Sequence, residues 1–189
     1  MNGTKQMTDE WWSKCLLDKE KLEHWLVRLY NNEKDAEERF ISFANEYCKD
    51  DKSTYEIFIK IAEQERNHAI LVEKVLKERN ITLYEISSKN GRYFRNTIPC
   101  IHCVKTAAAI GAFAEGLSLM RMRCIINDPN TPIDLVELFK VIQCNLYLPK
   151  IKNNSMTFYE YSVERKTNNF DILNNPKKYN LIFENNKRI

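Results

Sequence analysis

Apolar residues recur every three to four positions along two stretches in the first half of the chain, separated by the polar turn KDDKS. This spacing puts them on one face of a helix, so it predicts two amphipathic helices. The first is expected over about Lys19–Tyr47, and the second begins near Ser53, where Glu56 completes a capping-box pattern. The apolar positions are Leu22, Trp25, Leu26, Leu29, Ala36, Phe40, Phe43 and Tyr47 in the first stretch, and Ile57, Phe58, Ile61, Val72, Val75 and Leu76 in the second.

The second half of the chain resumes the helical pattern after a break. Residues 80–100 lose the period, which predicts a long crossover connection. The segment TAAAIGAFAEGLSLMRMRCII predicts a third helix that ends before Pro129, and Thr131-Pro132 begins a short fourth helix that stops at Pro149. The predicted fold class is therefore all-α, a four-helix bundle within residues 1–149, followed by a C-terminal extension over residues 150–189 that is irregular or partly helical.

Composition and charge exclude several classes of protein. With 43% hydrophobic and 29% charged residues, the chain has the balance of a globular domain, and no apolar run is long enough to cross a bilayer. A net charge of +3, spread along the whole sequence, argues against a nucleic-acid partner. The six cysteines follow no secretory signal, so we expect free thiols and a cytoplasmic protein without membrane attachment.

Three predicted helices each carry an acidic residue in the middle of the apolar face. Glu33 interrupts the first stripe, Glu65 and His68 interrupt the second at a spacing of one helical turn, and Glu115 interrupts the third. No lysine or arginine shares these faces. An isolated ionised carboxylate is costly to bury, and a single inward glutamate or a single Glu-x-x-His is common by chance. Three such interruptions in three consecutive helices favour a metal site, with Glu33, Glu65, His68 and Glu115 as its candidate ligands.

Two other features receive structural interpretations. Cys100-Ile-His-Cys103 is a C-x-x-C motif without the partner pair that a zinc knuckle needs, so incidental thiols are expected. Trp11, Trp12 and Trp25 are expected to cap one end of the bundle.

Two segments resemble the ligand helices of the ferritin-like superfamily, especially its rubrerythrin-like members. They are Glu33-x-x-Ala36-x-x-Arg39-Phe40-x-x-Phe43-Ala44 and Ala62-Glu63-Gln64-Glu65-Arg66-Asn67-His68-Ala69, and the likeness extends over about residues 20–147. The resemblance implies that Glu33 is the ligand of the first helix, Glu65 a bridging carboxylate, His68 the terminal imidazole and Glu115 the ligand of the third helix. It implies iron as cofactor, one or two ions, with manganese as an alternative metal.

The fourth helix departs from the family pattern. A second Glu-x-x-His would place its glutamate at Leu146 and its histidine at Pro149, and neither residue can bind a metal. The chain thus supplies four of six expected ligands, unless Glu160 or Glu164 of the C-terminal extension replaces the missing ones. The expected site is incomplete, mononuclear or inactive, rather than a paired-iron centre.

Two functions stay open at this point. One is an iron-dependent oxidoreductase of the non-haem diiron class that activates dioxygen or peroxide, with a small-molecule substrate or peroxide as its partner and a homodimer as its expected assembly. The other is a catalytically inactive ferritin-like protein that serves as a structural or interaction module. The missing ligands of the fourth helix favour the inactive protein. The coordination positions that remain open on the metal favour the oxidoreductase.

Overall fold

The computed structural model describes residues 2–87, 96–144, 147–152 and 155–160 of the 189-residue chain. Within these ranges the chain forms five α-helices, and the predicted all-helical bundle is confirmed. The helices are α1 (Asn2–Leu16), α2 (Lys19–Tyr47), α3 (Lys52–Glu78), α4 (Val104–Asn127) and α5 (Ile133–Cys144), with a short 3₁₀ turn at Ile98–Cys100 before α4.

The long helices α2 and α3 form the main pair of the bundle, and each begins at an aspartate. Asp18 caps α2 by accepting a hydrogen bond of 3.1 Å from the backbone N–H of Lys21. Asp51 caps α3 by accepting one of 3.0 Å from the N–H of Thr54. The predicted cap at Ser53 is therefore wrong, because the helix starts earlier and Asp51 already satisfies the N–H group that a cap would bind.

The end of α3 directs the chain into the predicted crossover. Asn80 takes a left-handed conformation with φ of 56°, and the N–H of Ile81 donates to the carbonyl of Leu76 at 2.9 Å, which is a Schellman-type ending. The following residues run beside α2, where the amide of Asn31 donates to the carbonyl of Tyr84 at 3.1 Å. The connection is thereby attached to the helix that it crosses.

Helix α1 was not predicted, although its aromatic residues were expected to cap the bundle. Its buried positions, Thr8, Trp12 and Cys15, follow the three-to-four spacing of a helix face. The indole N–H of Trp12 donates to the hydroxyl of Thr131 at 2.8 Å, and that hydroxyl donates to the carbonyl of Ile125 at 2.6 Å. This chain of hydrogen bonds ties α1 to the loop between α4 and α5.

The chain after α5 contains two strands, β1 (Tyr147–Lys152) and β2 (Ser155–Glu160), which pair antiparallel with Tyr147 opposite Glu160. The predicted fourth helix, which was to stop at Pro149, is therefore too long, because it ends at Cys144, and residues 150–160 were predicted to be irregular or partly helical. The strand form is consistent with the β-branched and aromatic residues in both segments, and a two-stranded sheet has only edge strands, which tolerate Pro149. Strand β1 lies against α4. No helix in the described part of the chain is long and apolar enough to span a membrane.

Candidate metal site

The candidate ligands lie in a polar layer between two apolar clusters. On one side, Leu26 of α2, Val72 of α3 and Leu119 of α4 belong to a large buried cluster. On the other side, Ala44 of α2, Phe58 of α3 and Ala107 of α4 belong to a smaller one. On each helix the predicted ligands fall between these positions, since Glu33, Glu65, His68 and Glu115 are central in their helices. Apolar side chains therefore enclose the polar layer at both ends.

Three of the four predicted residues come together in space. The Nδ1 atom of His68 lies 3.5 Å from Oε2 of Glu33 and 3.7 Å from Oε2 of Glu65. One potential ligand atom from each of the three residues lies within 4.8 Å of the others. Glu33 comes from α2, whereas Glu65 and His68 come from consecutive turns of α3 and point the same way. We call Glu33, Glu65 and His68 the ligand triad.

The distances within the triad fit a shared metal ion. Two ligand atoms bound to one ion with bonds of roughly 2.1 Å are about 3.0 to 4.2 Å apart. The two separations from His68 Nδ1 fall inside this interval. They are longer than ordinary hydrogen bonds, so a protonated imidazole interacts with the two carboxylates as an ion pair.

The imidazole of His68 is buried without a hydrogen-bond partner. Its side chain is 2% exposed, and neither Nδ1 nor Nε2 has a partner within the described residues. Burying a polar ring without partners costs about 1–3 kcal/mol, so such groups are rare in folded proteins. A metal ion at Nδ1 would satisfy the nitrogen that faces the two carboxylates. This is the observation in the structure that argues most directly for a metal.

The electrostatics of the metal-free site are strongly perturbed. Burial and the charge of Glu33 raise the pKa of Glu65 to about 8. Burial would lower the pKa of His68, but the carboxylates of Glu33 and Glu65 outweigh it and raise that pKa to about 10. Without a metal, protons on the imidazole and on the raised carboxyl group of Glu65 therefore limit the negative charge in the buried site.

Glu115 faces the same polar layer from α4 but stands outside the ligand triad. Burial, followed by the charge of Glu65, raises the pKa of Glu115 to about 8, while the charge of His68 acts in the opposite direction. The compact group of potential ligand atoms contains Glu33, Glu65 and His68 but not Glu115. The structure thus places Glu115 within electrostatic reach of the triad.

The fourth bundle helix ends beside the site. Glu115 lies 12 residues before the end of α4, and Cys144 lies 11 residues after the start of α5. Since a short loop joins these two helices as antiparallel neighbours, the end of α5 is at about the level of Glu115. Pro149, where the family pattern would have a histidine, is in β1, and Leu146 lies outside the described residues.

Glu160 and Glu164 of the C-terminal extension are the two residues suggested as replacements for the missing ligands. Glu160 ends β2, where its backbone pairs with Tyr147, and Glu164 lies outside the described residues.

The C-x-x-C motif has a structural place at the start of α4. The N–H of Cys103 donates to the hydroxyl of Thr106 at 3.2 Å, and the Cys103 thiol lies 3.5 Å from the same hydroxyl. The backbone is extended at Ile101 and at Cys103, which separates the latter from Cys100. Among the described residues, no metal-binding group includes either cysteine or His102.

Comparison with known proteins supports the family. Residues 25–116 match the family model described as Rubrerythrin, and this range contains all four predicted ligands. Neither the search of curated proteins nor the search of solved structures found a match. The family match and the observed helical bundle confirm the predicted ferritin-like fold class. The match to the Rubrerythrin model places residues 25–116 of this helical chain in the ferritin-like superfamily.

Proposed function

We propose that this protein is a non-haem iron oxidoreductase of the ferritin-like class, with its metal site lined by Glu33, Glu65, His68 and Glu115. The observation that carries the proposal is the buried imidazole of His68, which lacks hydrogen-bond partners and faces two carboxylates at 3.5 and 3.7 Å. Carboxylate and imidazole donors from neighbouring helices are the ligands of di-metal bundles of this fold. Manganese suits the same donors.

The protein residues around the site would bind and shield the metal. Glu33 and Glu65 supply negative charge, and the imidazole of His68 supplies a neutral nitrogen once its proton is lost. The apolar clusters on both sides, including Phe58 and Leu119, keep bulk water away from the ends of the site. Bound iron would supply the redox chemistry that activates dioxygen or peroxide.

A second function is favoured by the fourth helix. Helix α5 ends at Cys144, and its buried positions Leu135, Leu138, Phe139 and Ile142 are all apolar. The described side chains of this helix therefore offer no buried carboxylate or imidazole for the second half of a di-metal site. A ferritin-like structural or interaction module that has lost catalysis would have this appearance.

Metal analysis tests the proposal. Full-length protein purified without chelator is expected to contain one or two equivalents of iron or manganese, and Glu65→Gln to contain far less. Glu137→Gln removes an exposed carboxylate of α5 and serves as the control that should keep the metal. Less than about 0.1 equivalent of metal in the wild-type protein, unchanged in Glu65→Gln, would contradict the proposal. If metal is bound, oxygen consumption by the reduced protein separates an oxidoreductase from the inactive module.

We also propose that the protein works in the cytoplasm. The cysteines whose side chains the structure describes, Cys15, Cys48, Cys100, Cys103 and Cys124, are all free thiols. Free thiols are typical of a reducing compartment. Fractionation of cells that produce the protein at its natural level would test the location.

A further inference from the structure

We infer that this chain binds a single metal ion on Glu33, Glu65 and His68, with Glu115 as a neighbour rather than a ligand, in place of the ion pair of other ferritin-like bundles. The inference rests on the proposed metal-binding function. It refines that function by specifying how many ions bind and which side chains hold them.

The first argument is the lack of donors on the fourth helix. The only acidic residues of α5 are Asp134 and Glu137. Both carboxylate oxygens of Asp134 accept hydrogen bonds from Arg79, at 2.6 and 2.7 Å, so this side chain is already paired near the far end of the helix. Glu137 is exposed, and the buried face of α5 is apolar. Among its described side chains, α5 therefore offers no inward-facing carboxylate and no imidazole to a second ion.

The second argument is charge. Two divalent ions carry four positive charges, whereas Glu33, Glu65 and Glu115 together carry at most three negative ones. A buried site with an unbalanced charge is unfavourable because the interior screens it poorly. One divalent ion is neutralised by the two carboxylates of the triad. The single-ion site thus needs no charge from outside the described bundle.

The third argument is the arrangement of the ligand atoms. The carboxylate oxygens of Glu33 and Glu65 already lie at distances from His68 Nδ1 that suit ligands of one ion. Glu115 is not in this group of potential ligand atoms. A second ion would need Glu115 together with at least one further donor from α5 or the following chain. In the part of the chain that the structure describes, no other cluster of three potential ligands exists.

The test counts ions and needs no activity. Full-length protein is stripped with chelator, dialysed and titrated anaerobically with Mn²⁺ alone, and bound metal is measured by equilibrium dialysis. Electron paramagnetic resonance then distinguishes an isolated Mn²⁺ ion from a magnetically coupled pair. Circular dichroism of each variant verifies that it is folded. The variants are Glu33→Gln, Glu65→Gln, His68→Asn and Glu115→Gln, with Glu137→Gln as the surface control.

The expected result is one equivalent of Mn²⁺ with the spectrum of an isolated ion in the wild-type, Glu115→Gln and Glu137→Gln proteins. The three triad variants should bind at least tenfold more weakly. Two equivalents in the wild-type protein, or a coupled spectrum, would overturn the inference and leave the metal-binding proposal intact. Loss of the single ion in Glu115→Gln would also overturn it, by making Glu115 a ligand. Absence of any binding would instead reject the proposed function itself.

Discussion

His68 Nδ1 on α3 lies 3.5 Å from Oε2 of Glu33 on α2, and this contact crosses the interface of the two longest helices. Both side chains are largely withdrawn from solvent, with 2% and 14% exposed. The helices thus meet at a charged pair in the middle of their apolar interface. The stability of the bundle should accordingly depend on what occupies this point, a proton or a metal.

Metal binding should stabilise the folded protein. A ligand that binds only the native state adds free energy of unfolding by mass action, about 2.7 kcal/mol at a free concentration one hundred times the dissociation constant. We expect Mn²⁺ to raise the melting temperature of the stripped wild-type protein by several degrees, measured by circular dichroism. His68→Asn should show no such rise. An equal rise in both proteins would mean that the ion binds elsewhere.

The metal-free protein should lose stability as pH increases from about 6 to 9. The pKa values of Glu65 and Glu115 are raised to about 8 in the folded state, so the native protein holds protons that the unfolded chain releases near pH 4.5. The pKa of His68 is also raised, from 6.5 to about 10. All three stabilising contributions are complete below the unfolded pKa values and disappear as pH passes the folded ones.

The size of this effect follows from the same linkage, since one pKa unit corresponds to about 1.4 kcal/mol. We expect the free energy of unfolding in urea, with chelator present, to fall by roughly 2 kcal/mol or more between pH 6 and pH 9. Glu65→Gln combined with Glu115→Gln should reduce the dependence to the part that His68 contributes through Glu33. A wild-type stability that increases over this range would contradict the folded-state pKa values.

The buried hydrogen bonds of Thr131 should be important for attaching α1. Thr131→Val removes the acceptor of the Trp12 indole N–H and the donor to the carbonyl of Ile125. Leaving a buried polar group unpaired costs about 1–3 kcal/mol, which urea denaturation would detect. Trp12→Phe should be destabilising too, whereas the matched change Trp11→Phe affects a partly exposed ring and should cost less. Equal losses in the two tryptophan variants would argue against this role for the hydrogen bond.

The ion pair between Arg79 and Asp134 should hold the end of α3 to the start of α5. It is bidentate, but the side chains are 24% and 38% exposed, so solvent screens it. We expect a coupling energy of about 0.5–1 kcal/mol in a double-mutant cycle with Arg79→Met and Asp134→Asn. The coupling should decrease in 1 M salt. A coupling energy near zero at low salt would show that the ion pair adds no stability. Its geometry would then be a consequence of the packing of Leu135 and Phe139 in α5.

Much of the fold was predictable because helix periodicity is local. The observed bounds of α2, Lys19–Tyr47, agree with the predicted ones, and α4 ends before Pro129 as expected. The inward position of Glu33, Glu65 and His68 follows from the same period, since each replaces an apolar residue on a stripe. Helix α1 was missed because only Trp12 and Cys15 mark its buried face with apolar side chains.

The sequence by itself determined which residues face the core on each helix, because a side chain's direction on a helix depends only on its position along it. It also determined that the fourth helix carries no ligand pattern. Only the tertiary structure decided which polar residues meet. Whether Glu115 joins Glu33, Glu65 and His68 depends on how far α4 is displaced along and away from α2 and α3. Contacts between residues far apart in the chain, such as Trp12 with Thr131, are likewise not encoded by any local pattern in the sequence.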